Sequence, residues 1–244
     1  MKNQASLIIG ANSEIAKALA RQINQQTDPQ LIVISRNKHF YQQDEFTQAI
    51  VITVNDYQEQ DIQAAVEHIR QHTELEITQV FICHGILHNE RCQPEKRLED
   101  FSAGAFMEII TANTLTPMLW LKYLTPVLRG KNPCKVVIFN ARVGSISDNK
   151  LGGWYSYRAS KAAMNMLIKS AAVELARRAK NIKLISFHPG TTDSPLSKPF
   201  QKNVPAGKLF NSEFVARQLL NIVKQTPVDG EASYLDWQGK DINW

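Results

Sequence analysis

The chain is predicted to fold as one α/β domain over residues 1–244, with a doubly wound Rossmann-type, seven-stranded, mainly parallel sheet and helices on both faces. Three observations predict it. Short β-branched runs alternate with longer segments of helical period, the order that builds a parallel sheet from strand–helix–strand units. A length of 244 residues is short for two average domains and suits a single α/β one. Neither an internal repeat nor a Pro/Gly-rich linker interrupts it.

In chain order, strand patterns fall at 6–9, 31–35 (LIVIS), 49–54 (AIVITV), 80–83, 136–139, 183–187 and 233–236. Helical spacing fills the gaps at 14–25, 61–71, 106–128, 156–178 and 213–224. The first strand leads through Gly10-Ala11-Asn12-Ser13 into the first helix, with Asn12 or Ser13 as its cap. Residues 189–211 break the pattern, because Pro189, Pro195, Pro199 and Pro205 each restrict themselves and the residue before. That segment is expected to be a loop or broken helix, serving as a lid on the substrate side. The charged run 90–100 is expected to be a solvated loop, and the Met164, Met166, Leu167 stripe to belong to the core. Trp154, beside Tyr155, suits equally a pocket wall or a cover for the following helix.

Hydrophobic residues make up 43% and charged residues 21%, which excludes wholesale disorder. The formal charge is +5, but Lys and Arg are dispersed, and the densest cluster (Arg177, Arg178, Lys180, Lys183) reads as a solvated face. No nucleic-acid partner is expected; the charge would steer a small polyanion instead. No apolar stretch approaches the ~18–20 residues of a membrane span, nor does the start hold a secretory core, so no membrane partner and a cytoplasmic location are expected. Cys83, Cys92 and Cys134 show no CxxC spacing, so neither a disulfide framework nor a zinc site is expected. His84 with His88, and His68 with His72, lack an evident third ligand, so no metal is expected.

Two local patterns carry chemistry. Backbone amides at the strand-to-helix turn Gly10–Ala16 can hold a pyrophosphate, although only one glycine remains where a dinucleotide fingerprint has three. Tyr157 and Lys161 stand four apart, on one helix face, so a phenol and an ammonium can point into one site. A nearby cation favours phenolate and makes a tyrosine a usable proton donor.

The ordered set resembles the short-chain dehydrogenase/reductase family over essentially the whole chain. Gly10–Ala16 sits at the family's TGxxxGIG turn, and Ile82-Cys83-His84-Gly85 replaces its NNAG segment. Asn113 falls in the helix that supplies an active-site asparagine, and Tyr157 and Lys161 match YxxxK, followed by the SKAAM run. His188-Pro189-Gly190-Thr191-Thr192-Asp193-Ser194 resembles the PGxxxT segment bordering the nicotinamide. The stretches ARVGSISDNKLGGWYSYRASKAAMN and SYLDWQGKDINW resemble the C-factor and sniffer-type carbonyl reductase branch.

The resemblance implies hydride transfer between a nicotinamide and a carbonyl or alcohol, with Tyr157 as acid, Lys161 on the nicotinamide ribose, and Asn113 anchoring a water of a proton relay. It implies cofactor contacts from Gly10, Asn12, Ser13, Ile15, Cys83, His84, Gly85, Pro189, Gly190, Thr192 and Ser194. Thr53 stands where many relatives have an adenine-contacting Asp, so the backbone of Val54 is expected to serve. Glu14 and Ala16 replace glycines, with Glu14 turned outward. The second strand ends Ser35-Arg36-Asn37, without the carboxylate that binds an adenosine ribose. Arg36 can pair with a 2′-phosphate, so NADP is expected over NAD. The family's active-site serine aligns with Ala141, 16 residues before Tyr157. Ser145, turned inward by the freedom of Gly144, is expected to replace it ahead of the Asn140 amide. Helices 106–128 and 156–178 resemble the family's dimerisation pair, so a homo-oligomer is expected. The alternative function is a dinucleotide-binding, C-factor-like signalling or regulatory protein with little turnover.

Overall fold

Aliphatic and β-branched runs form the strands of a computed structural model that describes residues 3–26, 29–72 and 74–244. These are β1 (Asn3–Ile9), β2 (Gln30–Ser35), β3 (Ile50–Thr53), β4 (Leu75–Ile82), β5 (Cys134–Phe139), β6 (Ile182–His188), the short β7 (Thr191–Thr192) and β8 (Leu209–Phe210), and β9 (Ala232–Asp236). Among them run α1 (Glu14–Asn24), α2 (Glu59–Gln71), α3 (Ala103–Ile110), α4 (Thr116–Leu128), α5 (Tyr155–Arg178) and α6 (Ser212–Gln225). The main sheet has seven strands in the order β3-β2-β1-β4-β5-β6-β9. All six pairings are parallel, each strand reached by a crossover connection. The order reverses between β1 and β4, which opens a crevice beyond the carboxyl ends of those two strands.

Period-two alternation sends side chains to two cores. Leu7, Ile9, Ile34, Val80, Val136 and Ile138 face α2, α4 and α5, where Ile62, Trp120, Met164 and Ile168 cover them. Ile8, Val33, Phe81, Val137 and Phe187 face α1 and α6, where Leu19, Ile23, Val215 and Leu219 cover them. Burial on both faces explains the continuous apolar runs.

Three expectations change. The helical stretch 106–128 is α3, then a π turn over Thr111–Leu115, then α4. Pro117 has no N–H and its ring crowds the carbonyl four residues back, at Asn113, so the helix widens there. Strand β4 begins at Leu75 rather than 80, because Glu76 and Gln79 interrupt an apolar pattern in its half-buried first half. In α5, Met164 is buried, but Met166 and Leu167 are exposed: they lie on the solvent side of the helix and leave the core to Met164 and Ile168. Segment 189–211 holds β7 and β8, paired parallel, with a 3-10 helix (Lys198–Asn203) between them. Among the described residues no helix is long and apolar enough to cross a membrane.

Candidate active site

The turn after β1 brings its expected residues together. Gly10 has φ +73, and a Cβ there would lie 3.2 Å from the Cys83 carbonyl carbon and 3.4 Å from His84 N. Glycine thus lets the β1 turn close on the end of β4. Ser13 caps α1 by accepting from Ala16 N at 3.2 Å. With its amide nitrogen toward Asn37 O (3.0 Å), Asn12 ties this turn to the end of β2. Glu14 is turned outward, in an ion pair with Lys17 at 2.9 Å, and Ile15 packs into the core under α1. Val54 is buried and its N–H donates to Ser35 O at 3.1 Å. Arg36 is exposed, with its guanidinium 5.3 Å from the centre of the Tyr57 ring. Tyr57 meets the His84 ring edge-on at 4.1 Å.

The catalytic candidates converge where the π turn faces the first turns of α5. Asn113 is fully buried; its Oδ1 accepts from Ile86 N (2.7 Å) and its Nδ2 donates to Ile86 O (2.9 Å) and Ser160 Oγ (3.0 Å). Lys161 donates from Nζ to Phe139 O at 3.1 Å. A Cβ on Gly85 would sit 3.2 Å from that Nζ and 3.4 Å from Asn113 Oδ1, so Gly85, Asn113 and Lys161 share one small space. The Lys161 ammonium stands 5.7 Å from the centre of the Tyr157 ring. The Tyr157 hydroxyl makes no hydrogen bond to the described residues.

Electrostatics differ from the expectation of a lowered tyrosine. Burial, with the Tyr234 phenol nearby, holds Tyr157 above the usual tyrosine range. Burial also brings Lys161 down to about 8. Desolvation therefore outweighs the pairing of the two groups. The same burial, aided by Arg36 and Lys161, lowers His84 to about 3, so its imidazole is neutral at physiological pH. The Cys83 thiol is pushed up and stays protonated.

Ala141 lies half-buried against the cluster of Leu87, Ile109 and Tyr157, which Val143, Trp154 and Phe200 also flank. Its N–H donates to Asn140 Oδ1 (2.9 Å) and its carbonyl accepts from Tyr234 Oη (2.6 Å). Both expected substitutes for a serine have partners within the protein. The Ser145 hydroxyl accepts from Asp148 N at 3.3 Å and lies 3.4 Å from Ser147 Oγ, capping its own turn. Gly144 stays glycine for another reason than the one expected: a Cβ there would meet Lys161 backbone and Cβ atoms at 2.8 Å. Asn140 spends its amide nitrogen on Lys161 O, Asn165 Oδ1 and Ser186 Oγ. Ser145, 1% exposed, thus bonds within its own turn, and Asn140 ties the end of β5 to α5 and β6.

Beyond β6, Pro189 leads into Gly190, whose φ of +73 and close approach to the Phe210 ring turn the chain toward β7. Ser194 Oγ donates to Thr192 O at 3.2 Å. His88 Nε2 lies 3.1 Å from Leu196 O, joining the loop after β4 to segment 189–211. Trp154 packs 5.0 Å from Phe200 and 6.1 Å from Tyr157 between ring centres. One residue of the site lay hidden in the charged run 90–100: Glu95 is only 4% exposed, its carboxylate against Ser156 at the start of α5.

The residues fit a dinucleotide. Two buried polar atoms, His84 Nε2 and Thr192 Oγ1, have no partner among the described residues, and Gly10 and Gly85 keep the floor of the crevice free of side chains. A family model described as short chain dehydrogenase matches residues 4–205. The C-signal protein of Myxococcus xanthus is 27% identical over 147 residues, 60% of this chain and 83% of its own. Among solved structures, the carbonyl reductase Sniffer of D. melanogaster superposes with a TM-score of 0.83 at 18% identity, covering 100% of both chains. The NADPH-bound carbonyl reductase from chicken fatty liver gives 0.79 at 17% identity, again covering 100% of both. With its family model matched over residues 4–205, the chain belongs to the short-chain dehydrogenase family and is an NAD(P)-dependent oxidoreductase.

Proposed function

We propose that the protein reduces a carbonyl compound with NADPH, Tyr157 giving a proton to the carbonyl oxygen. One observation carries this reading: Tyr157, its hydroxyl without a hydrogen bond among the described residues, sits in an apolar cluster, with Lys161, which shares a space with Gly85 and Asn113, one helical turn on. The bound nicotinamide supplies the hydride. Lys161, bonded to Phe139 O, holds the ribose, and Asn113, fixed by Ile86 and Ser160, anchors a water of the relay that returns a proton to Tyr157. Gly10, Asn12, Ser13 and Ile15 frame the pyrophosphate, Val54, Cys83, His84 and Gly85 the adenosine side, and Pro189, Gly190, Thr192 and Ser194 the carboxamide. Leu87, Ile109, Trp154 and Phe200 exclude water from the substrate, and segment 189–211 acts as its lid.

Preference for NADP is supported by the exposed guanidinium of Arg36 at the end of β2, with no carboxylate on Ser35, Asn37 or Lys38. Binding constants for NADPH and NADH, with Arg36→Ala, test this; equal or tighter NADH binding by the parent protein overturns it. Turnover on a panel of aldehydes, ketones and quinones tests the activity, and binding of NADPH without any turnover would favour the signalling reading that the C-signal likeness raises. Exposed Met107 and Leu115 near the π turn, with Met166 and Val173 on α5, support self-association through these helices. Sedimentation that finds a monomer at every concentration refutes it. Free Cys83, Cys92 and Cys134 suit the reducing cytoplasm.

A further inference from the structure

We propose that Glu95 is a positioning residue of this reductase, gripping the start of α5 so that Tyr157 and Trp154 are held in place against the substrate. The proposal rests on the reading of Tyr157 as proton donor. Burying a carboxylate is costly unless its oxygens are satisfied. Glu95 is 4% exposed, and its partners all belong to one helix end. Both its carboxylate oxygens lie 3.3 Å from Ser156 N, and Ser156 Oγ donates to Oε1. Its own main-chain carbonyl accepts from Trp154 N at 2.6 Å. One residue thus grips the chain on both sides of Tyr155, immediately before Tyr157.

The grip is needed because α5 starts without a cap of its own. Its N-cap residue, Trp154, makes no side-chain capping bond, so the first N–H groups of a 24-residue helix need an outside acceptor. A carboxylate there also meets the positive end of the helix dipole. The entry is a left-handed run: Gly152, Gly153 and Trp154 have φ of 65, 63 and 52. The first two residues tolerate this; a bulky tryptophan does so only when its surroundings hold it. Glu95 O does so on the backbone side, and a Cβ on Gly153 would come within 3.3 Å of that same oxygen. With its backbone so fixed, the indole reaches Tyr157 and Phe200.

Lys161, one turn further along, has its own supports: Phe139 O on Nζ, and Asn140 on its carbonyl. Arg158 independently ties back to Gly152 O and Gly153 O at 3.2 and 2.9 Å. Loss of the Glu95 carboxylate should therefore loosen Tyr157 and Trp154 while the helix and the cofactor side of the crevice remain.

The test uses the full chain as Glu95→Ala and Glu95→Gln. Hydrogen exchange should rise in residues 154–158 of Glu95→Ala and stay unchanged from 165 to 178. With benzil as the carbonyl probe, kcat should fall at least tenfold in Glu95→Ala, with NADPH Kd within twofold of the parent. Glu95→Gln, which keeps an acceptor, should recover part of that loss. A lowered Tm with unchanged kcat would mean that Glu95 is structural only, and equal kcat in the two variants or unchanged exchange at 154–158 would also overturn the proposal. If the parent protein binds NADPH but turns over neither benzil nor any other carbonyl of the panel, the reductase reading fails, and the exchange experiment alone still decides the grip.

Discussion

Replacing Lys161 with methionine should stabilise the cofactor-free protein, most at neutral pH and progressively less toward pH 10.5. The amine is 3% exposed, and burial brings it from the ordinary 10.5 to about 8. A gap of roughly two and a half pH units, at ~1.36 kcal/mol each, corresponds to about 3 kcal/mol. Below about pH 8 both folded and unfolded chains carry the proton, and the folded state bears the full cost of a buried ammonium. Between that pH and 10.5 the unfolded chain keeps its proton while the folded chain has lost it, so stability rises with pH. The raised thiols of Cys83 and Cys134 act in the opposite direction, but they are common to both proteins and cancel in the difference. Urea unfolding of parent and Lys161→Met, from about pH 7 to about pH 10.5, gives that difference directly. The variant's advantage should shrink by about 3 kcal/mol over the range. A difference constant with pH would refute the reasoning, because the amine would then titrate alike in both states.

Tyr157→Phe keeps the ring and removes the proton donor, so turnover should fall by roughly 10²-fold or more with NADPH binding intact; near-normal turnover would make Tyr157 structural. Gly144→Ala puts a methyl 2.8 Å from Lys161 backbone, a clash expected to cost about 1–3 kcal/mol. Thermal unfolding should register it as a Tm lower by roughly 2–4 °C per kcal/mol, and an unchanged Tm would contradict the close packing. Ser145→Ala should leave turnover within a few-fold of the parent, because its hydroxyl serves its own turn. Ala141→Ser should raise turnover, by up to roughly 10²-fold if the new hydroxyl reaches the substrate oxygen. A large loss in Ser145→Ala would return the serine role to that residue.

The sheet was legible because strands buried on both faces are written as continuous apolar runs, such as LIVIS at 31–35. Where one stretch of a strand is only half-buried, as at Glu76 to Gln79, polar residues break the pattern and the strand start is lost. The π turn at Asn113 had a cue in Pro117, but period alone reads through it. Tyr157, Lys161 and Gly10 could be placed because their spacing is local. Glu95 could not: its partner lies 61 residues away, and in sequence it is one charge among several. The direction of the Tyr157 shift was equally hidden, since burial of the first turns of α5 depends on α3, the loop after β4 and segment 189–211 together.

On the proposed reading, Tyr157, Ala141 and the apolar side chains around them meet the same carbonyl oxygen. Tyr157, held above the usual tyrosine range by burial, enters the reaction protonated across physiological pH. Ala141 offers no second hydroxyl to share the charge of an alkoxide, and the wall formed by Leu87, Ile109, Val143 and Trp154 is apolar. An oxyanion that lingered there would be poorly solvated, whereas one that takes the Tyr157 proton as it forms becomes a neutral alcohol suited to the pocket. The reverse direction must begin with a deprotonated Tyr157, the form this burial disfavours. With Tyr157 as the donor, reduction starts from the protonated phenol that burial favours, and no serine at position 141 shares its hydrogen bond to the substrate oxygen.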